Sequence, residues 1–206
     1  PMYTVVGHPR SRAMRLIWML EELAQPYEIE PAAPQSDRAR AVNPLGKIPA
    51  LVVDGGDVLT DSTAILQFLA DRHGALTHPA GTIPRARQDA ALHFALDEIE
   101  GALWTAAKHL RILPEARRVP EVAPACRGEF DVAMARLADR VGAGPWIMGE
   151  TFTVPDVLIG HCLGWAERGM DWSLPDGAVT DYAARLRARP AFARATARGA
   201  EAAKAA

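Results

Sequence analysis

The chain is poor in the residues that most directly mark a redox, metal or nucleic-acid site. Among its 206 residues are only 2 cysteines, Cys126 and Cys162, and they share no C-x-x-C or other paired spacing. That excludes a dithiol centre at a strand-to-helix loop and a disulfide framework, and both thiols read as reduced core or half-buried groups. The 6 histidines, His8, His73, His78, His93, His109 and His161, form no i, i+4 pair and no arrangement with carboxylates at metal-ligand spacing, so no metal is expected. Lys and Arg number 23 against 25 Asp and Glu, and no basic patch is interleaved with aromatics, which argues against nucleic acid as a partner. No apolar run approaches the roughly 18 residues of a membrane span, and no charged-then-apolar leader stands before Met2. The expected location is the cytosol, with no membrane partner.

What is present is enough apolar content, 49% of residues, for a real core in one large or two small domains. Short strands alternate with helices up to about residue 76. Tyr3–Val6 reads as a strand, a helix runs from about Ser11 to Ala24, Tyr27–Glu30 is a second strand, and 34–42 is a polar stretch. Thr77-His78-Pro79-Ala80-Gly81-Thr82-Ile83-Pro84 reads as a linker by its Pro and Gly content. From there the pattern is helical, with a long helix over Arg87–His109 and another over Ala125–Val141. An alanine-rich tail from Ala191 is expected to form a short helix with a frayed end. The domains are therefore expected at 1–76 and 85–206, joined by 77–84.

The most informative stretch is 43–62. Lys47, Ile48 and Pro49 open an apolar run, Ala50–Val53, that reads as a strand, and Pro49 at its start has no N–H for a ladder bond. Two readings of Pro49 stand: a trans edge-strand proline, or a cis peptide bond that turns the Ile48 backbone outward to an extended ligand, since for proline the cis form costs only about 0.5–1 kcal/mol. Asp54-Gly55-Gly56-Asp57 supplies a tight hairpin, with Val58 and Leu59 returning antiparallel to Leu51 and Val52. Asp61 or Ser62 then caps a helix carrying Ala64, Ile65, Leu66, Phe68 and Leu69, which stops at His73-Gly74. A helix N-terminus with a free hydroxyl favours a carboxylate, although simple capping explains the pair equally well.

The run from Asn43 to Ser62 resembles the glutathione-binding segment of the glutathione S-transferases. In that family the residue before a cis-proline pairs with the cysteinyl backbone, and an acidic-Ser pair holds the γ-glutamyl group. The resemblance extends over nearly all of the chain and implies a bacterial-type member: α/β plus all-α, with a thioredoxin-like N-terminal domain followed by an all-helical C-terminal domain. It implies glutathione as co-substrate, bound by Lys47, Ile48, Pro49, Asp61 and Ser62, and a homodimer with the helix after Ser62 near its interface. Asp61 stands where the family more often has Glu, a longer side chain.

Gly7-His8-Pro9-Arg10-Ser11 is similar to the loop of the phi class, in which a serine hydroxyl donates to the glutathione sulfur. Ser11 is therefore the expected catalytic residue, with Pro9, Arg10 and Arg12 as neighbours of the sulfur. The chemistry needs such a donor, because a free thiol has a pKa of about 8.5 and the thiolate is the nucleophile. An ordinary N-cap explains Ser11 without the segment at 48–62. Tyr3, a competing phenolic donor, lies inside a strand rather than after one. The second-substrate wall is expected at Trp104, Lys108 and Arg111, where core packing and solvent are the plainer readings.

In the second half, Phe152-Thr153-Val154-Pro155-Asp156-Val157 reads as a helix start, with Thr153 as N-cap, Asp156 at N3 and Phe152 stapled onto Val157. Asp156 is thus expected to be structural, and Asp156→Ala to cost about 0.5–2 kcal/mol. The function expected is conjugation of the glutathione thiolate to small electrophiles. The alternatives are a glutathione-dependent peroxidase or isomerase, or a non-enzymatic ligand-binding or partner-binding protein on the same fold.

Overall fold

β-Branched and aromatic residues lay down the strands. The computed structural model describes residues 2–142 and 144–204. Tyr3–Val6 (β1), Tyr27–Glu30 (β2), Ala50–Val53 (β3) and Asp57–Thr60 (β4) form one sheet in the order β2-β1-β3-β4. β1 and β2 run parallel, connected through helix α1 (Ala13–Glu22), and β3 is antiparallel to both β1 and β4. Helix α3 (Ser62–His73) follows the hairpin and ends at Gly74, which takes the left-handed conformation at φ 60°. This is the thioredoxin-like arrangement.

The central strands are covered on both faces, so they read as near-continuous apolar runs rather than alternating ones. Tyr3, Val5, Val6, Ala50, Leu51 and Val53 are all buried. Val6, Ala32 and Ala50 form an apolar cluster with Val42 and Val52 packed against it. Val42 ends a short helix α2 (Asp37–Val42) inside the stretch that reads as merely polar. Its start is fixed by Ser36, whose hydroxyl accepts the Ala39 N–H at 3.2 Å.

The chain folds into two compact units, Pro1–Thr77 with Arg187–Ala206, and His78–Leu186. The last helix, α9 (Pro190–Lys204), thus belongs with the sheet and not with the helices that precede it in sequence. The reason lies in α1, where Ala13 and every residue from Arg15 to Leu20 are buried. β1, α3 and α9 each cover part of its circumference. The Trp18 and Phe192 rings meet in a T-shaped pair at a centroid distance of 4.9 Å, and Arg189 donates twice to Glu22 at 2.6 and 2.7 Å. The frayed end expected after α9 falls at 205–206, outside the described residues.

The second unit is helical. Its first helix, α4 (Ile83–Phe94), begins inside the stretch that reads as linker, because Thr82 caps it and Pro84 occupies the first turn, where a missing N–H costs nothing. The run continues through a π-helical segment (Ala95–Glu100), α5 (Gly101–Ala107) and a second π-helical segment (Lys108–Ile112). After these come α6 (Val122–Val141), α7 (Val154–Met170) and α8 (Ala178–Arg187). At the start of α7 the capping box is present, and Asp156 is fully buried within it. Among the described residues, no helix is long and apolar enough to cross a membrane.

Candidate functional site

Register alone brings three loops together. Val6 pairs with Ala50, and Ala50 pairs with Thr60. Gly7, Pro49 and Asp61, the next residues outward on their strands, therefore lie side by side at one end of the sheet. Gly7 is the contact point. A Cβ there would stand 3.2 Å from Ala13 Cβ, 3.3 Å from Ile48 Cβ and 3.4 Å from Pro49 Cα, on a backbone with φ +152°. Only glycine accommodates both the dihedral and the crowding.

The 43–49 loop is built by buried Asn43. Its side-chain oxygen accepts the Leu45 N–H at 3.1 Å, and its amide nitrogen donates to the Lys47 carbonyl at 3.2 Å. Gly46 is tied to Gln35 by a backbone bond of 2.8 Å. The Ile48–Pro49 peptide bond is cis, with Ile48 half-buried, Pro49 buried and Lys47 exposed.

Of the two capping candidates, Asp61 is the N-cap of α3. Its Oδ1 accepts the Thr63 and Ala64 N–H groups at 2.9 and 3.0 Å, and it holds φ 67°, a conformation that costs a non-glycine residue about 1–3 kcal/mol. Ser62 is the first helical residue and is buried. Its Oγ accepts a hydrogen bond of 3.1 Å from Nη1 of Arg15. Arg15 lies on α1 and is 1% exposed. Sequence reasoning missed it. The signal was a single guanidinium inside the otherwise apolar run from Ala13 to Leu20.

Ser11 precedes α1, which starts at Ala13 rather than at Ser11 itself. Its hydroxyl donates to the His8 carbonyl at 2.6 Å and accepts the Ala13 N–H at 3.1 Å. Ser11 is half-buried beside buried Pro9, with Arg12 half-buried and Arg10 exposed. Tyr3 is far from this loop, at the other end of β1. Its hydroxyl bonds His73 Nε2 at 2.8 Å, and burial pushes its pKa up.

Trp104, Lys108 and Arg111 belong to the second unit. Trp104 is half-buried, 6.4 Å from Trp165 between ring centroids, with Lys108 Nζ 5.9 Å above its ring, and Arg111 is exposed. Two cavities of that unit, of about 310 and 340 Å³, are lined by other residues, the first by Arg87, Ala91, Arg140, Ile147 and Met148. Among the described residues, no cluster of three or more His, Cys, Asp or Glu could hold a metal ion. Cys126 and Cys162 are buried in α6 and α7, and burial pushes the Cys126 thiol up.

A parallel β-α-β half followed by a hairpin and a capped helix, with its loops gathered at one sheet end, defines a thioredoxin-like binding domain. The family model for the glutathione S-transferase N-terminal domain matches residues 10–72, which contain most of these loops. Glutathione S-transferase GstA of Escherichia coli O157:H7 is 30% identical over 128 residues, 61% of this chain, and the chain spans 60% of that relative's length. Two solved structures are similar over almost their whole length. A glutathione transferase from Methylococcus capsulatus str. Bath gives a TM-score of 0.82 at 28% identity, covering 96% of this chain and 99% of that one. The theta class glutathione S-transferase of Xanthomonas axonopodis pv. citri, solved with glutathione bound, gives 0.79 at 26% identity, covering 95% and 97%. Residues 10–72 thus match the N-terminal domain of the glutathione S-transferases, and the fold as a whole is similar to that of solved glutathione transferases.

Proposed function

We propose that this protein is a glutathione transferase of the serine type, which lowers the pKa of the glutathione thiol and directs the thiolate at a small electrophile. The observation that carries the reading is the gathering of the Ser11 loop, Lys47-Ile48-Pro49 and Asp61-Ser62 at one end of the sheet. The similar protein from Xanthomonas, solved with glutathione, supports the choice of ligand. In this reading the Ile48 backbone pairs with the cysteinyl residue of extended glutathione. Ser62 takes the γ-glutamyl carboxylate, and Asp61, whose Oδ1 is held by two amides, offers Oδ2 to the γ-glutamyl ammonium.

Ser11 is the proposed donor to sulfur. Rotation about its Cβ–Oγ bond moves the hydroxyl hydrogen from the His8 carbonyl to the sulfur, while the lone pair that accepts from Ala13 stays in use. A neutral hydrogen bond contributes about 0.5–1.5 kcal/mol and one to a charged group about 1.5–3 kcal/mol, so the thiolate outcompetes the carbonyl. The thiol proton leaves to solvent, sulfur forms its bond to the electrophilic carbon within about 3–3.5 Å, and the leaving group departs with its electron pair. Ser11 forms no covalent intermediate. Trp104, with Lys108 and Arg111, is the proposed surface for a flat, partly anionic electrophile, and the protein is proposed to work as a cytosolic homodimer.

The bond already made by the Ser11 hydroxyl favours one second reading, in which Arg10 or Arg12 supplies most of the thiolate stabilisation. Turnover of a chloronitroaromatic by wild type, Ser11→Ala and Arg12→Gln separates the two. The proposal expects kcat to fall at least about tenfold in Ser11→Ala, which corresponds to about 1.4 kcal/mol, and less in Arg12→Gln. The reverse order moves the role to the arginine, and no turnover by wild type with any such electrophile overturns the transferase reading.

A further inference from the structure

The start of α3 is a poorer anion site than a bare helix N-terminus. Asp61 has taken the Thr63 and Ala64 amides with its own carboxylate, and the Ile65 N–H goes to the Asp61 carbonyl at 3.0 Å. The donors left at this end are those of Ser62 itself, and an incoming carboxylate meets the Asp61 charge beside them. Arg15 changes that balance. It is buried on α1, a location that is costly for a charge unless something there uses it. Ser62 is one of its partners, through Nη1 to Oγ at 3.1 Å.

The direction of that bond is fixed by chemistry. A guanidinium has five donors and no acceptor, so it occupies a lone pair of Oγ. The Ser62 hydroxyl hydrogen cannot point back at Arg15 and is left to donate elsewhere. A carboxylate only accepts, and is the ligand group such a hydroxyl fits.

Resting on the glutathione reading, we propose that Arg15 is a positioning residue for glutathione recognition: it holds Ser62 as an outward donor and supplies, from behind, the positive charge that selects a ligand bearing a free α-carboxylate on its γ-glutamyl residue. Arg15 touches Ser62 rather than the ligand, so its effect is on binding and discrimination and not on the sulfur.

The test is calorimetric binding to the full-length protein of two thiols. One is glutathione, and the other is 4-aminobutyryl-cysteinylglycine, which lacks only the glutamyl α-carboxylate. Wild type is expected to prefer glutathione by about ten- to a hundredfold, the range of hydrogen bonds to a charged group. Arg15→Met and Ser62→Ala are each expected to erase most of that preference by weakening glutathione alone, with the double variant little worse than either single one. The kcat at saturating glutathione should stay within about twofold of wild type in Arg15→Met, since KM carries the loss of uniform binding. Equal weakening of both thiols, or a preference left intact, overturns the proposal. Should Arg15→Met be too unstable to purify, Arg15→Lys keeps the charge without the fork and is expected to lose part of the preference, again on glutathione only. Wild type binding neither thiol would instead overturn the glutathione reading itself, which separates the two failures.

Discussion

Asp156 is held by more than a cap. Oδ2 accepts the Thr153 N–H and hydroxyl at 2.8 and 3.2 Å, and Oδ1 accepts the Ile147 N–H at 2.9 Å and the Tyr182 hydroxyl at 2.6 Å. Burial pushes the Asp156 carboxyl up, opposed by these hydrogen bonds, and drives the Tyr182 phenol well above its ordinary value. Asp156→Ala strips several buried donors at once, each costing about 1–3 kcal/mol when unpaired. The expected loss by urea denaturation is therefore about 2–4 kcal/mol, more than the cap alone would give, and Tyr182→Phe should cost about 1 kcal/mol. A loss below about 1 kcal/mol for Asp156→Ala would contradict the network. Gly7→Ala should cost about 1–3 kcal/mol in stability, and should weaken glutathione binding as well, because the new methyl meets Ile48 and Pro49. Unchanged binding would show that this contact does not shape the site. The loops and helix start that carry Ser11, Ile48, Asp61 and Ser62 were legible from sequence because turns, prolines and helix starts carry local chemical signatures. Arg15 was not, because its partner Ser62 is 47 positions away.

The pairing of α1 with α9 joins elements nearly a whole chain apart. Trp18 Nε1 donates to Glu22 at 2.9 Å, alongside the two bonds from Arg189, and the Glu22 side chain is only 6% exposed. Arg189→Met leaves that carboxylate nearly buried. The expected loss is about 1–3 kcal/mol, below the roughly 3–5 kcal/mol of a fully buried pair because Arg189 remains partly in solvent. For Glu21, burial raises the pKa, but bonds from Arg194 and Tyr27 and the Arg194 and Arg198 charges bring it below its ordinary value. A lowered folded pKa means stability that is present above the unfolded value of about 4.3 and is lost as pH falls through the folded one. The difference in melting temperature between wild type and Glu21→Gln should therefore narrow as pH drops below about 4, and a constant difference would contradict the assignment. Elements with strong punctuation were legible: the hairpin at Gly55-Gly56, the stop at Gly74 and the capping box at Thr153. Helix α2 was not, because it buries only Ala39 and so has no apolar face to read. The linker is shorter than its composition suggests, because Pro84 reads as a breaker when it stands in a first turn. The π-helical segments leave no mark on hydrophobic spacing.

At the scale of the molecule, the sheet unit closes only when the C-terminus returns to it. A fragment ending at Thr77 would lack the helix that covers Trp18, Glu21 and Glu22, and should melt without a cooperative transition by circular dichroism. Cooperative melting of that fragment would show that α9 is dispensable. The tail composition foretells its helix but not its destination, since alanine-rich helices carry little that names a partner. A homodimer predicts a sedimentation mass about twice that of the chain. The central claim, that this chain activates the glutathione thiol through Ser11, is met most directly by titrating the thiolate absorbance of bound glutathione in the ultraviolet. We predict a midpoint at least about one unit below the free-thiol value of about 8.5 in wild type, returning towards it in Ser11→Ala. Bound glutathione that titrates like the free thiol in wild type would contradict the claim.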